Sequence, residues 1–368
     1  MRPGARELPP PAPYRLCYSP TVLIKYLGSK RTLLPDIVAL AAAPDVKRVA
    51  DLFSGTSRVG HALKGAGYEV TSNDHNSYAF TLAQCYVAAD GAKWRGPAEA
   101  LLEELAEIPP KAGWFTKTYC EDARFFQPKN GARVEAIRNH IETLELAPEL
   151  RAIALVSLME AADRVDSTCG VQMAYVKKWA KRSHNELSLR LPNSLDGEGT
   201  AHCRDAAELA SELDVDLVYI DPPYNQHSYR GNYHVWETLV QWDEPETYGI
   251  AQKRIDVRTH KSDYNSKRRH QAAFESLIAA LHVPLLIVSF SDEAYLPRAV
   301  LEERLRARGP VAVVEKDFKR YVGAQIGVHN PKGEKVGTVS HLRNVERMYI
   351  AATEHASDAQ KRYVQLLM

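Results

Sequence analysis

The chain has 368 residues, 45% of them hydrophobic and 25% charged, which allows one large or two ordinary domains around a sizeable core. Its 47 Lys and Arg nearly cancel its 46 Asp and Glu, which excludes a globally basic nucleic-acid binder and leaves only local basic surface. Five cysteines without a C-x-x-C pair argue against a zinc site and a disulfide framework and suit a reducing cytoplasm, and no apolar run reaches the ~18 residues that span a membrane.

The first 17 residues, "MRPGARELPPPAPYRLC", are Pro-rich without an apolar signal core and read as a flexible tail. From 18 to 90, short apolar runs alternate with helical periodicity. "KRVADLF" (47–53) predicts a buried strand, "SRVGHALKGAG" (57–67) a helix ending on glycine, and "YEVTSND" (68–74) a second strand. Strand, helix and strand within ~30 residues make a βαβ unit and a parallel sheet.

The turn "DLFSGTSRVG" (51–60) leaves a strand, bends at Gly55 and opens a helix. A missing side chain there lets a ligand approach the backbone, and the helix start offers free N–H donors. An ordinary connection favours glycine as well, so the turn alone does not decide. Asp74 ends the second strand ~20 residues on, where an acid can accept the hydroxyls of a ribose.

Between 91 and 199 the texture becomes helical, in "AEALLEELAEI", "ARVEAIRNHIETLEL" and "ELRAIALVSLMEAADRVD". This insert closes on "KKWAKR" (177–182). The α/β pattern returns over 200–368. "VDLVYI" (215–220) predicts a buried strand, preceded by Asp205, which is placed to meet an adenine amino group. "AAFESLIAALH" (272–282) predicts a helix feeding the strand "VPLLIVSF" (283–290). "VAVVEKDF" (311–318) and "NVERMYIAAT" (344–353) predict late antiparallel neighbours.

The most specific stretch is "DPPY", Asp221, Pro222, Pro223 and Tyr224. Asp221 follows an apolar run and so sits at the C-terminal end of a parallel strand, where open α/β sheets place ligand crevices. Two prolines stiffen the turn and remove two donors. Asp221 and the Pro222 carbonyl can together accept both hydrogens of a planar amino group, with Tyr224 lying over its ring. Drawing those hydrogens out of plane localises the nitrogen lone pair, which suits attack on a positioned methyl group.

With these motifs in place, the sequence resembles the D12-class, Dam-like, S-adenosylmethionine-dependent DNA adenine-N6 methyltransferases of the α group. "KYLGSK" (25–30) is similar to their K-x-x-G-x-K element, "DLFSGTS" to their F-x-G-x-G cofactor loop, "SND" (72–74) to their ribose-binding acid, and "NYHVWETL" (232–239) to a segment following DPPY. The resemblance implies a doubly wound, mostly parallel α/β sheet with the insert serving as target-recognition domain. It implies S-adenosylmethionine as cofactor, held by Lys25, Tyr26, Gly28, Lys30, Asp51, Phe53, Ser54, Gly55, Thr56, Asp74 and Asp205, and no metal. One departure is Ser57 in place of the second loop glycine, where serine is expected to cap the following helix.

The partner implied is double-stranded DNA, whose target base must leave the stack to be modified. Three local basic stretches fit that partner: Lys177, Lys178, Lys181 and Arg182; Lys267, Arg268 and Arg269; and Lys319 with Arg320. Cytosine N4 presents a similar amino group and stands as the alternative target. An RNA or protein amide substrate and a non-catalytic binding module are further alternatives. The recognition sequence, a cognate restriction endonuclease and the oligomeric state stay open.

Overall fold

A computed structural model of the chain describes residues 24–173, 178–319, 328–329, 335–337 and 343–368. Seven strands form one sheet: β1 (Arg48–Asp51), β2 (Glu69–Asn73), β3 (Thr200–His202), β4 (Leu217–Ile220), β5 (Leu285–Ser291), β6 (Val311–Lys319) and β7 (Arg343–Ala352). Their order is β3-β2-β1-β4-β5-β7-β6. The first five pair in parallel, and β7 runs antiparallel between β5 and β6. The late strands expected from sequence are therefore present as antiparallel neighbours.

Alternation along the strands divides the core. Val49, Leu217, Tyr219, Leu285 and Ile287 meet α1 (Leu34–Ala41) and α2 (Arg58–Gly65) on one face. Ala50, Val218, Ile220, Leu286 and Val288 join a cluster on the other. Both faces of β4 and β5 are covered, so these two strands read as continuous apolar runs rather than as an alternating pattern.

Helix α3 (Ser77–Ala83) leads into the helical segment, which is built from α4 (Gly91–Glu107), α5 (Pro128–Thr143) and α6 (Pro148–Val165). These helices share a third core with α7 (His234–Gln241), through Tyr78, Leu105, Ile137, Leu158, Trp236 and Leu239. Helix α6 is buried over most of its length, and its buried side chains include the polar Ser157, Glu160 and Asp163. Arg138 of α5 donates to the carbonyls of Leu239 (2.6 Å) and Val240 (3.0 Å), placing a cation at the C-terminus of α7. The insert thus fixes the helix that follows the DPPY turn.

Candidate active site

The strand order reverses between β1 and β4, and at such a point the loops leaving the carboxyl ends of the strands diverge and open a crevice. A cleft of about 970 Å³, open to solvent, lies there. It is lined by the loop after β1, the Asp74 turn after β2, Asp205 after β3, the Asp221 turn after β4, the Tyr26–Lys30 segment, and residues 260–265.

The cofactor-type half is built from close backbone approaches. Gly55 has φ +50°, and a Cβ there would meet the Tyr26 ring at 3.3 Å; Gly28 has φ +72°, and a Cβ there would meet the Tyr229 hydroxyl at 3.0 Å. Both positions require glycine. Tyr26 lies near-parallel to Tyr229 and Tyr233, with centroids 5.1 and 4.5 Å away, and the Leu27 N–H donates to the Tyr233 hydroxyl at 2.6 Å. The N-terminal element is thereby clamped onto the segment after DPPY.

Ser57 corrects the sequence expectation. It adopts the left-handed conformation (φ 59°, ψ 19°), its side chain does not cap the helix, and its buried Oγ has no hydrogen-bond partner among the described residues. The backbone shape at this position is one that favours glycine, which explains the glycine in the pattern it departs from.

Asp74 accepts from the Gly55 N–H (3.0 Å) through Oδ2, and from the N–H and Nδ2 of Asn76 (2.9 and 3.0 Å) through Oδ1. It holds the glycine loop and keeps one acceptor position, on Oδ2, for a further donor. Asp205 accepts from the Ala207 N–H at 2.8 Å, as cap of the turn after β3, and Oδ2 makes no hydrogen bond among the described residues. Asn73, missed by the sequence reading, ties three strand ends together. Its amide donates to the carbonyls of Leu52 and Arg204 and accepts from the Arg204 N–H.

Burial and the nearby Asp221 charge push the Asp51 carboxyl up to about 8, against hydrogen bonds that include the Gly60 N–H (3.2 Å). Its Oδ1 is buried without a hydrogen-bond partner among the described residues, as are Ser54 Oγ and Asn76 Oδ1 in the same cleft. Buried polar atoms are normally satisfied, so a group of orphaned ones in one cleft fits a polar, partly cationic ligand. The residues present therefore fit S-adenosylmethionine.

The chemical half centres on Asp221. Burial raises its carboxyl to about 6 against the opposing pull of Lys30, with Glu346 adding to the rise. Lys30 Nζ lies 3.0 Å from Asp221 Oδ1 and also pairs with Glu346. Burial alone would lower the Lys30 ammonium, but these two acids outweigh it and hold the pKa well above its usual value. Tyr224 is half-buried beside this group, its ring centroid 5.6 Å from Lys30 Nζ and 6.2 Å from that of Phe290.

Twelve of the predicted residues line the cleft together: Tyr26, Gly28, Lys30, Asp51, Phe53, Ser54, Gly55, Thr56, Asp74, Asp205, Asp221 and Pro223. Lys25 does not join them, because its ammonium pairs with Asp163 (3.0 Å) and Asp166 (3.2 Å) at the end of α6. Pro222, buried, and Tyr224, half-buried, follow Asp221 in the turn and are not among the lining residues. The sequence reading also missed Arg230, His260, Ser262, Tyr264 and Asn265, which carry no motif and reach the cleft only through the fold.

The basic stretches separate in the same way. Lys178, Lys181, Lys267 and Arg268 are exposed. Arg182 is held by Asp166 and the Thr168 carbonyl, and Arg269 by Asp263 at 3.1 Å, so both have structural partners. Lys177 and Arg320 lie outside the described residues, as does the side chain of Lys319.

The strand order and the cleft at the reversal define a class I, Rossmann-like methyltransferase fold. Residues 26–282 match the family described as D12 class N6 adenine-specific DNA methyltransferase, and the chain belongs to that family. It is 27% identical over 342 residues to the type II methyltransferase M.NlaIII of Neisseria lactamica, covering 89% of this chain and all of that one. It is 31% identical to the type II methyltransferase M.FokI of Planomicrobium okeanokoites, over 78% of this chain and 47% of that one. The modification methylase LlaI of Lactococcus lactis subsp. lactis is 28% identical over 84% of this chain and 53% of its own. The chain thus spans all of the first relative and about half of the other two. Among the described residues, no helix is long and apolar enough to cross a membrane.

Proposed function

We propose that this protein methylates N6 of adenine at a specific sequence in double-stranded DNA, using Asp221 and the Pro222 carbonyl to hold the amino group of an extruded base. The observation that carries the reading is Asp221 at the carboxyl end of β4, in one cleft with the Gly55 loop, Asp51 and Asp74. S-adenosylmethionine, when bound, supplies an electrophilic methyl group carried on a sulfonium. Ser54, Gly55, Thr56 and Asp74 would hold its nucleoside part, and Asp51 its cationic part. Asp221 accepts a hydrogen of the exocyclic amine and so raises the electron density on nitrogen. The amine nitrogen would take the methyl group given up by the sulfonium, and its surplus proton would become acidic only after that transfer and pass to solvent. Asp221 therefore acts by orientation and electrostatics rather than as a strong base.

Cytosine N4 offers the same amino chemistry, and the family favours adenine. Lys178, Lys181, Lys267 and Arg268 supply phosphate contacts, with the helical insert presenting part of the recognition surface. The enzyme works in the cytoplasm on nucleoid DNA, within a restriction–modification setting like that of its type II relatives. Mapping modified bases in DNA from cells expressing the chain tests this. N6-methyladenine confined to one short recurring sequence is expected; modification scattered without sequence preference, or its absence, contradicts the proposal.

A further inference from the structure

Lys30 is buried between two carboxylates but treats them differently. Its ammonium hydrogen-bonds Glu346 and ion-pairs at 3.0 Å with the buried Oδ1 of Asp221, an atom with no other partner among the described residues. Glu346 lies on β7, outside the segment matched to the family, and carried no signal in the sequence reading. It is itself buried and accepts additionally from Ser289 Oγ at 3.3 Å.

A lone lysine facing a lone buried aspartate would close a neutral pair and occupy the acceptor that a base amino group needs. The second anion prevents this. We propose that Glu346 is a positioning residue for methyl transfer, anchoring the Lys30 ammonium so that Asp221 keeps an open acceptor for the amino hydrogen of the target base. This rests on the methyltransferase reading. Lys30 neutralises the cluster from the buried Oδ1 side of Asp221, whose carboxylate still lines the cleft, and its place 5.6 Å from the Tyr224 ring centroid puts the same cation against the aromatic group of the turn. With Glu346 uncharged, the ammonium turns fully to Asp221 and the base amino group must compete with it.

The test is single-turnover transfer of labelled methyl groups from saturating S-adenosylmethionine to unmodified duplex phage DNA. Glu346→Gln keeps the size of the side chain and its hydrogen bond to Ser289. It is expected to slow transfer about tenfold while leaving cofactor and DNA dissociation constants within about twofold. Glu346→Asp should recover part of the loss. In a Lys30→Met background, Glu346→Gln should have little further effect, because the anion acts only through the lysine. A wild-type transfer rate in Glu346→Gln, or the same fractional loss with and without Lys30, overturns the proposal. If Glu346→Gln fails to fold, Glu346→Asp decides: an intermediate rate supports the proposal and a wild-type rate overturns it. If the unaltered protein transfers nothing, the failure belongs to the methyltransferase reading and takes this inference with it.

Discussion

Asp221 must be ionised to accept a hydrogen from an amine, and its folded environment holds its pKa at about 6. Besides burial, the groups around it are Lys30, which favours the charged form, and Glu346, whose charge opposes it. Transfer under limiting substrate should therefore fall as pH drops through about 6. Removing the cation with Lys30→Gln should move that acidic limb to higher pH, as read from pH–rate profiles; a downward move would contradict the assignment. Ser57 makes a second prediction at this scale. A non-glycine residue held at φ 59° costs about 1–2 kcal/mol, and its Oγ gains no hydrogen bond in return. Ser57→Gly is expected to stabilise the protein by up to about 1 kcal/mol after the entropic cost of glycine, measured by denaturant unfolding. A loss of stability would mean that the hydroxyl has a role its position does not reveal.

Between elements, the main link is a buried ionic network that joins both halves of the cleft. Glu237 on α7 accepts from the Ser77 and Tyr78 N–H groups at the start of α3, each at 3.2 Å, and pairs with Arg230 at 2.8 Å. Arg230 lines the cleft and reaches on to Asp256 at 2.7 Å, which Arg254 also holds at 2.9 Å. Helix α3 starts just after Asp74, so the ribose-type acid and the segment following DPPY are tied through one carboxylate. Glu237→Ala leaves a buried guanidinium short of a partner and should cost about 3–5 kcal/mol, seen as a shift of the urea midpoint. An unchanged midpoint would show that the network is dispensable. Elements were well legible in the sequence wherever the apolar period was clean, as in β1, β4, β5 and α6. Ser57 was misread because a helix start suggests a cap, whereas the loop shape was set by the close packing around Gly55. Glu237 and Asn73 stay hidden because their partners lie more than a hundred residues away or are backbone atoms, and Arg230 because its side-chain partners Glu237 and Asp256 follow no motif spacing. Reading the N-terminal motif as a unit puts Lys25 in the cleft, whereas its ammonium faces Asp163 and Asp166 at the C-terminal end of α6.

Across the whole molecule, the helical segment is no separate body of packing. Its helices share one core with α3 and α7, and Arg138 caps the latter. A variant in which 91–199 is replaced by a short linker is accordingly expected to lose its cooperative thermal transition; a folded, cofactor-binding remnant would show that the α/β part stands alone. The cleft was legible in sequence because its chemistry sits at strand ends, where motif and topology coincide. Its far wall at residues 260–265 was not, because those side chains arrive from an irregular stretch without periodicity. The central claim is that Asp221 presents an adenine amino group for methylation. Its most direct measurement is nucleoside analysis of unmodified duplex DNA after incubation with labelled S-adenosylmethionine and either the unaltered protein or Asp221→Ala. The account predicts label in N6-methyladenine with the unaltered protein and none with Asp221→Ala, whose DNA binding stays near normal. Label in N4-methylcytosine, or undiminished transfer by Asp221→Ala, would contradict it.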